Sequence, residues 1–252
     1  MLERVPSGPL TERQPLAPWG LGTGLTASVV SLLVFYIGGS GLLVALHPKG
    51  ALRTLEVGIL SYQFLLLGVA LSAVVLILIR FPHSLQALGF QFPGWPALLT
   101  AAATVLPIYA GVAILYWLFN TLLPAYHLHS NIHDVFGKSP PHVGLLEQAA
   151  IFLWAAVEAP LVEETLFRGM LFQGLHHFFA RWLSLPLALF IGALLSGLVF
   201  ALVHFEPHTF PILWFLGVVL AYVFFYTRSL YSSAVVHGII NAISIATFFH
   251  GT

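Results

Sequence analysis

Apolar residues run along this chain in long uninterrupted blocks, with the polar positions gathered between the blocks. Seven such blocks stand out, at 21–46, 57–79, 97–123, 145–180, 185–203, 210–226 and 230–249. A hydrocarbon core about 30 Å thick is crossed by ~20 helical residues, so blocks of this length predict membrane-spanning helices. No window shows the ~10-residue alternating segments of a membrane β-barrel. Lipid offers no partner for an unpaired backbone N–H or C=O, which leaves helices. The expected fold is all-α, a polytopic membrane bundle of about seven transmembrane helices. Block 145–180 could be one span running into an interfacial helix, or two elements, so the expected count ranges from six to eight.

The segments between the blocks are mostly short. Residues 81–96 are rich in proline, glycine and aromatic side chains, with room for a short interfacial helix at 83–88. The longest connection, 124–144, holds His127, His129, His133 and His142. Four histidines invite a metal site. They lack His-x₃-His spacing on a recognisable helix, and Asp134 is the acid beside them, so a polar loop accounts for them more simply. Residues 1–20 mix Glu3, Arg4, Glu12 and Arg13 with prolines, unlike the basic start and apolar core of a signal peptide. We expect a disordered tail there, then helices and loops over 21–144, then a functional core over 145–252.

Composition agrees with a membrane protein and removes several function classes. Of 252 residues, 59% are hydrophobic and only 7% charged, with a mean hydropathy of +0.94. Net charge is zero and no basic run occurs, so nucleic acid is not an expected partner. Cysteine is absent, which excludes thiol catalysis, disulfides and thiolate metal sites. With the N-terminus inside, the inner face collects Arg4, Arg13, Arg80, Arg181 and Arg228, against Lys49, Arg53 and Lys138 outside. The positive-inside rule then favours that orientation.

Against this background, ionisable groups inside apolar blocks carry information. Each costs at least a few kcal/mol at the bilayer centre, so such groups persist when paired or functional. In the fourth block Glu164 and Arg168 lie four residues apart, acid first, the better order for a helical ion pair. Glu163 points about 100° away around the helix, so it can face a different space and stay available for chemistry such as general-base catalysis. A neutralised charge cluster that merely locks helices together explains the same residues equally well. Pro160 removes a backbone donor and crowds the carbonyl of Ala156, so a kink or loosened turn is expected just before the glutamates. Glu158 is a third acid nearby.

Two later blocks supply polar partners. Phe200 and His204 share a helix face, and upstream Ala188, Gly192 and Ser196 form a ladder of small residues that permits close helix approach. His237 and Asn241 also lie four residues apart and can both donate hydrogen bonds, as an oxyanion-stabilising pair must. Interhelical hydrogen bonding is the plainer reading of that pair alone. Together the three motifs offer a carboxylate base, two histidines and an amide donor, a hydrolytic inventory inside a membrane.

The order Glu-Glu-x-x-x-Arg, Phe-x-x-x-His, His-x-x-x-Asn resembles the CPBP group of intramembrane endopeptidases, which includes the Rce1-type CAAX prenyl proteases and bacteriocin-processing proteins. The resemblance covers roughly 145–249. It implies that Glu163 and His204 activate a water molecule and that His237 and Asn241 stabilise the oxyanion. Glu164, Arg168 and Phe200 would support them. Whether a metal takes part is open. Glu163, His204 and His237 would be the ligands if zinc is bound, and a Glu-His pair can equally polarise water unaided. The implied partners are the lipid bilayer and a peptide or protein substrate with a hydrophobic or prenylated C-terminal segment. The alternative is a non-catalytic membrane scaffold, or an immunity or partner-binding protein, that uses the same polar cluster structurally.

Rival chemistries fare worse. The zinc signature His-Glu-x-x-His is absent, and Asp134 is the sole aspartate, so no intramembrane aspartyl dyad can form. Gly38-Gly39-Ser40-Gly41 matches a Gly-x-Ser-Gly string, which is cheap among 22 glycines. One difficulty is visible in advance. His204 closes its helix whereas His237 lies ~10 Å into another, and simple alternation of spans puts those ends on opposite faces.

Overall fold

The computed structural model describes residues 19–46, 66, 84–123, 126, 128 and 144–250. These are 84% helical and contain no strand, so the all-α expectation holds. Eight helices follow in chain order among the described residues: α1 Leu21–Leu46, α2 Ser84–Leu88, α3 Trp95–Ala103, α4 Val105–Leu122, α5 Leu145–Phe179, α6 Leu185–Leu202, α7 Phe210–Thr227 and α8 Leu230–His250. Among the described residues, five stretches are long and apolar enough to cross a membrane: Trp95–Leu122, Leu145–Phe179, Leu185–Leu202, Phe210–Thr227 and Leu230–Phe249. The predicted span 57–79 and the histidine-rich connection lie outside the described residues, apart from Leu66, Tyr126, Leu128 and Gly144. The side chain of Ser40 also lies outside them.

The expected span 97–123 is found as the stretch Trp95–Leu122, interrupted by one residue. The block 97–123 breaks at Thr104, where the backbone N–H bonds Ala101 at 2.9 Å and the hydroxyl bonds the same carbonyl at 2.6 Å. Pro107 explains the break, because it lacks the N–H that the carbonyl of Ala103 needs four residues on.

The 35-residue α5 resolves the other ambiguity, since it is one continuous helix. At 1.5 Å per residue it is about 50 Å long. It is not uniformly α-helical. Trp154–Glu158 and Thr165–Phe172 are π-helical turns that flank a short α-helical piece, Ala159–Glu164. The first π turn sits where Pro160 predicts a loosened turn.

A π turn misaligns its carbonyls, and a membrane interior supplies no water to satisfy them. Neighbouring helices answer the second π turn. Ser28 of α1 donates to the carbonyl of Leu166 at 3.3 Å, and Ser196 of α6 donates to that of Phe167 at 3.0 Å. Gln173 bridges Gly169 and Ala87 at 3.0 and 2.6 Å, which ties α2 to α5. These bonds hold α5 at the centre, with α1 and α6 against its later half and α8 against its earlier half.

Small residues decide how close the helices come. Ala188, Gly192 and Ser196 are buried and face α5, with the Cβ position of Gly192 3.3 Å from the backbone nitrogen of His176. Another close crossing lies between α6 and α7. A Cβ on Gly217 would lie 2.7 Å from the Cα of Gly197, so only two glycines allow that approach. A two-residue turn joins α7 to α8, with Arg228 in the left-handed region at φ 57°. Loop 89–91 clamps this turn: Leu230 N–H donates to Gly89, Ser229 to the carbonyl of Gln91, and the Gln91 amide to the carbonyl of Arg228.

Candidate active site

The polar cluster is assembled from α5, α6, α7 and α8. Glu164 and Arg168 are fully buried, and Arg168 Nη1 donates to Glu164 Oε1 at 2.8 Å. The second nitrogen, Nη2, donates to the carbonyl of Gly217 at 3.1 Å. That carbonyl is within reach because the Gly197–Gly217 crossing draws α7 inward. The guanidinium also lies over the ring of Phe200, 4.6 Å from its centroid, a cation–π contact that strengthens when desolvated. A charge at this depth is tolerated because it is paired, hydrogen-bonded and stacked at once.

His237 enters from α8, with its side chain 5% exposed. Its Nδ1 lies 3.1 Å from Glu164 Oε1. A carboxylate oxygen paired with Arg168 accepts, so Nδ1 carries the hydrogen and donates. The other nitrogen, Nε2, faces Glu163 Oε2 at 3.9 Å. That is too long for a hydrogen bond. The Glu163 side chain is 17% exposed, unlike the sealed Glu164. The 100° between adjacent helical positions therefore separates a sealed carboxylate from a reachable one.

Phe200 connects the two histidines. Its ring is fully buried, with centroids 4.8 Å from His204 and 5.7 Å from His237. His204 lies just beyond α6, in a turn whose N–H groups bond back to Val199, Ala201 and Leu202. Its Nδ1 is 2.7 Å from the carbonyl of Phe200. A carbonyl only accepts, so Nδ1–H donates and Nε2 keeps the lone pair in the neutral ring. The expected separation of His204 and His237 onto opposite faces is thus overcome, because one aromatic ring a turn inside α6 touches both.

Asn241 sits one turn after His237 on α8. Its Nδ2 donates to the carbonyl of Ala155 at 2.9 Å, in the first π turn of α5. One N–H of the amide remains for other use. Glu158 is half-buried in that same turn. The structure thus brings Glu163, Glu164, Arg168 and His237 into one cluster, carries His204 to it through Phe200, and ties Asn241 to the first π turn.

Sequence reasoning missed the carbonyls of Gly217 and Ala155 as members of the cluster, and it missed Tyr126. The Tyr126 hydroxyl donates to the carbonyl of Pro207, and its ring packs on Phe119 and His208. With Leu202, Phe205, Pro207 and Phe210 it lines an open apolar groove of about 600 Å³ beside His204. Backbone acceptors leave no signature in a sequence, although a glycine inside an apolar helix hints at a crossing.

The donor set for a metal was tested against the same geometry. Glu163 and His237 face one another and supply two ligands. Among the described residues no group of three or more His, Cys, Asp or Glu side chains is arranged to hold a metal ion. Zinc sites in enzymes use three protein ligands, so these residues do not complete one, and no step below runs through a metal.

One comparison with known proteins gives a match. Residues 145–243 match the family model described as type II CAAX prenyl endopeptidase Rce1-like, which is consistent with the CPBP family. No curated protein and no solved structure gives a match. The matched segment contains α5, α6, α7 and most of α8, hence every residue of the cluster. The match spans 99 of the 252 residues. With five such apolar helices among the described residues, the chain is an integral, multi-pass membrane protein.

Proposed function

We propose that this protein is an intramembrane endopeptidase. It hydrolyses a peptide bond near the C-terminus of a membrane-anchored or prenylated protein or peptide, using water activated by Glu163 and His204. The observation that carries this reading is the 3.9 Å gap between Glu163 Oε2 and His237 Nε2. A single oxygen atom at ~2.8 Å from each fits that gap, at hydrogen-bond distance from both. Glu163 Oε2 is buried at this gap, while the Glu163 side chain as a whole keeps 17% exposure, as a general base that must meet a substrate requires.

The chemistry follows from the fixed tautomers. Glu163 takes a proton from water as the water oxygen attacks the scissile carbonyl carbon. His204, with Nδ1–H committed to Phe200, offers its Nε2 lone pair to the same water. The resulting oxyanion is met by the second N–H of Asn241 and by His237, whose Nδ1 is held by Glu164. The carbon–nitrogen bond then breaks, and the proton held by Glu163 passes to the leaving amine. The apolar groove beside His204 suits a hydrophobic segment of the substrate. We place the N-terminus on the inner face, with Arg181 and Arg228.

A second reading is favoured by one specific observation. The chain of bonds from His237 through Glu164 and Arg168 to Gly217 cross-links three helices, which is also what a non-catalytic scaffold would need. Purified protein, offered prenylated and hydrophobic-tail peptides, separates the two. The endopeptidase cleaves, and Glu163→Gln abolishes cleavage in a folded protein. No cleavage by wild type, with cellular function retained in Glu163→Gln, would establish the scaffold.

A further inference from the structure

The first π turn of α5 has an arithmetic that involves α8. Ala159 N–H donates to Trp154, five residues back. The carbonyl of Ala155 therefore loses its usual partner four residues on. Its π-helical partner, five residues on, is Pro160, which has no N–H. No helical donor remains for Ala155, and Asn241 Nδ2 takes that place at 2.9 Å. Gly238 brings α8 close enough to do so: a Cβ there would collide with the carbonyl of Ala156, with Pro160 Cγ 4.0 Å away. Only a glycine lets the two backbones meet at the loosened turn.

We infer that Pro160 is a positioning residue for Asn241: by withholding an N–H, it leaves the Ala155 carbonyl to orient the amide that meets the oxyanion. This rests on the endopeptidase reading for its catalytic consequence, but not for the coupling itself. The two N–H groups of a planar amide keep a fixed angle between them, so fixing one on Ala155 fixes the direction of the other. Pro160 and Asn241 lie 81 positions apart in sequence, and the coupling between them runs through a backbone acceptor. π turns are frequent at functional sites, and here the turn has an identifiable task.

Pro160→Ala restores an N–H at the point where Ala155 needs one. In that background Asn241 is released from the carbonyl. Melting temperatures in detergent of wild type, Pro160→Ala, Asn241→Ala and the double variant test the coupling without any substrate. Asn241→Ala alone strands a part-buried carbonyl and should lower Tm by about 3–10 °C; in the Pro160→Ala background the same change should cost at most half as much. Additive losses, equal in both backgrounds, would overturn the coupling. With wild type active on peptide, Pro160→Ala should lower kcat ~10- to 100-fold with KM unchanged, and the double variant should lose no more than Asn241→Ala alone. An unchanged kcat in Pro160→Ala would overturn the positioning role. Wild type that cleaves nothing would sink the endopeptidase reading instead, while the four melting temperatures still decide the coupling.

Discussion

His237 is bonded through Nδ1 to Glu164, at 3.1 Å, on the same oxygen that receives Arg168 at 2.8 Å. The second glutamate of the pair is thus more than a counter-ion for arginine. It sets the tautomer and the ring orientation of the histidine, so that Nε2 faces the first glutamate. The arrangement separates two adjacent residues, one carboxylate fully buried and orienting, the other partly exposed.

The burial of Arg168 makes it a test of the cluster's architecture. Arg168→Ala removes the partner of a fully buried carboxylate and should destabilise the protein by ~3–5 kcal/mol. Thermal melts in detergent, alongside the yield of folded protein, measure this. A melting temperature equal to wild type would refute the ion-pair assignment. Glu163→Gln, at the exposed edge, should melt close to wild type.

Glu164→Gln gives a different outcome. The amide oxygen still accepts a hydrogen bond, but the carboxylate charge that faces Arg168 and His237 is lost. We expect reduced turnover as well as reduced stability, because the histidine loses its anchor. Activity as low as that of Glu163→Gln, with wild-type stability, would make Glu164 a reacting group and reverse the roles assigned here.

Asn241→Ala should slow turnover ~10²- to 10³-fold while substrate binding changes little, since an oxyanion donor acts mainly in the transition state. Single-turnover kinetics beside a binding measurement separate these terms. A loss confined to binding would place Asn241 in substrate recognition.

The two glycines at the α6–α7 crossing predict a packing effect with a distant reach. Gly217→Ala would bring a methyl group to 2.7 Å from the Cα of Gly197, forcing backbone apart at a cost of ~1–3 kcal/mol. The same shift withdraws the Gly217 carbonyl from Arg168. Gly94→Ala is the contrasting control at an open site, where the nearest atom, Pro96 Cδ, lies 3.9 Å from the Cβ position, though its φ of 86° adds local backbone strain. Its melting temperature should fall less than that of Gly217→Ala; the reverse order would refute the crossing as a tight contact.

Metal dependence is open to direct measurement. We expect peptide cleavage to survive stringent chelation, leaving water activated by Glu163 and His204. Loss of activity on chelation, with recovery on adding back zinc alone, would require a ligand outside the cluster described above.

Much of this protein is legible from its letters. Long apolar blocks must become helices in lipid, because no other open structure satisfies its own backbone, and α6, α7 and α8 begin and end within a residue or so of the blocks that predict them. Pro160 announces the loosened turn of α5, and the spacing of Glu164 and Arg168 announces their pair, because both depend on neighbours within five residues. The sequence does not say which glutamate His237 would choose, that Phe200 would bridge two histidines, or that Asn241 would find a carbonyl left without a helical donor by a proline. Nor does it single out Gly217 as the acceptor for Arg168. Those relationships are set by how closely helices cross and at what rotation. Adjacent residues on α5 differ by about 100° in direction, so the rotation of one helix decides which carboxylate is partly exposed and which is sealed. Local periodicity fixed the helices; only their packing against one another decided which polar atoms meet.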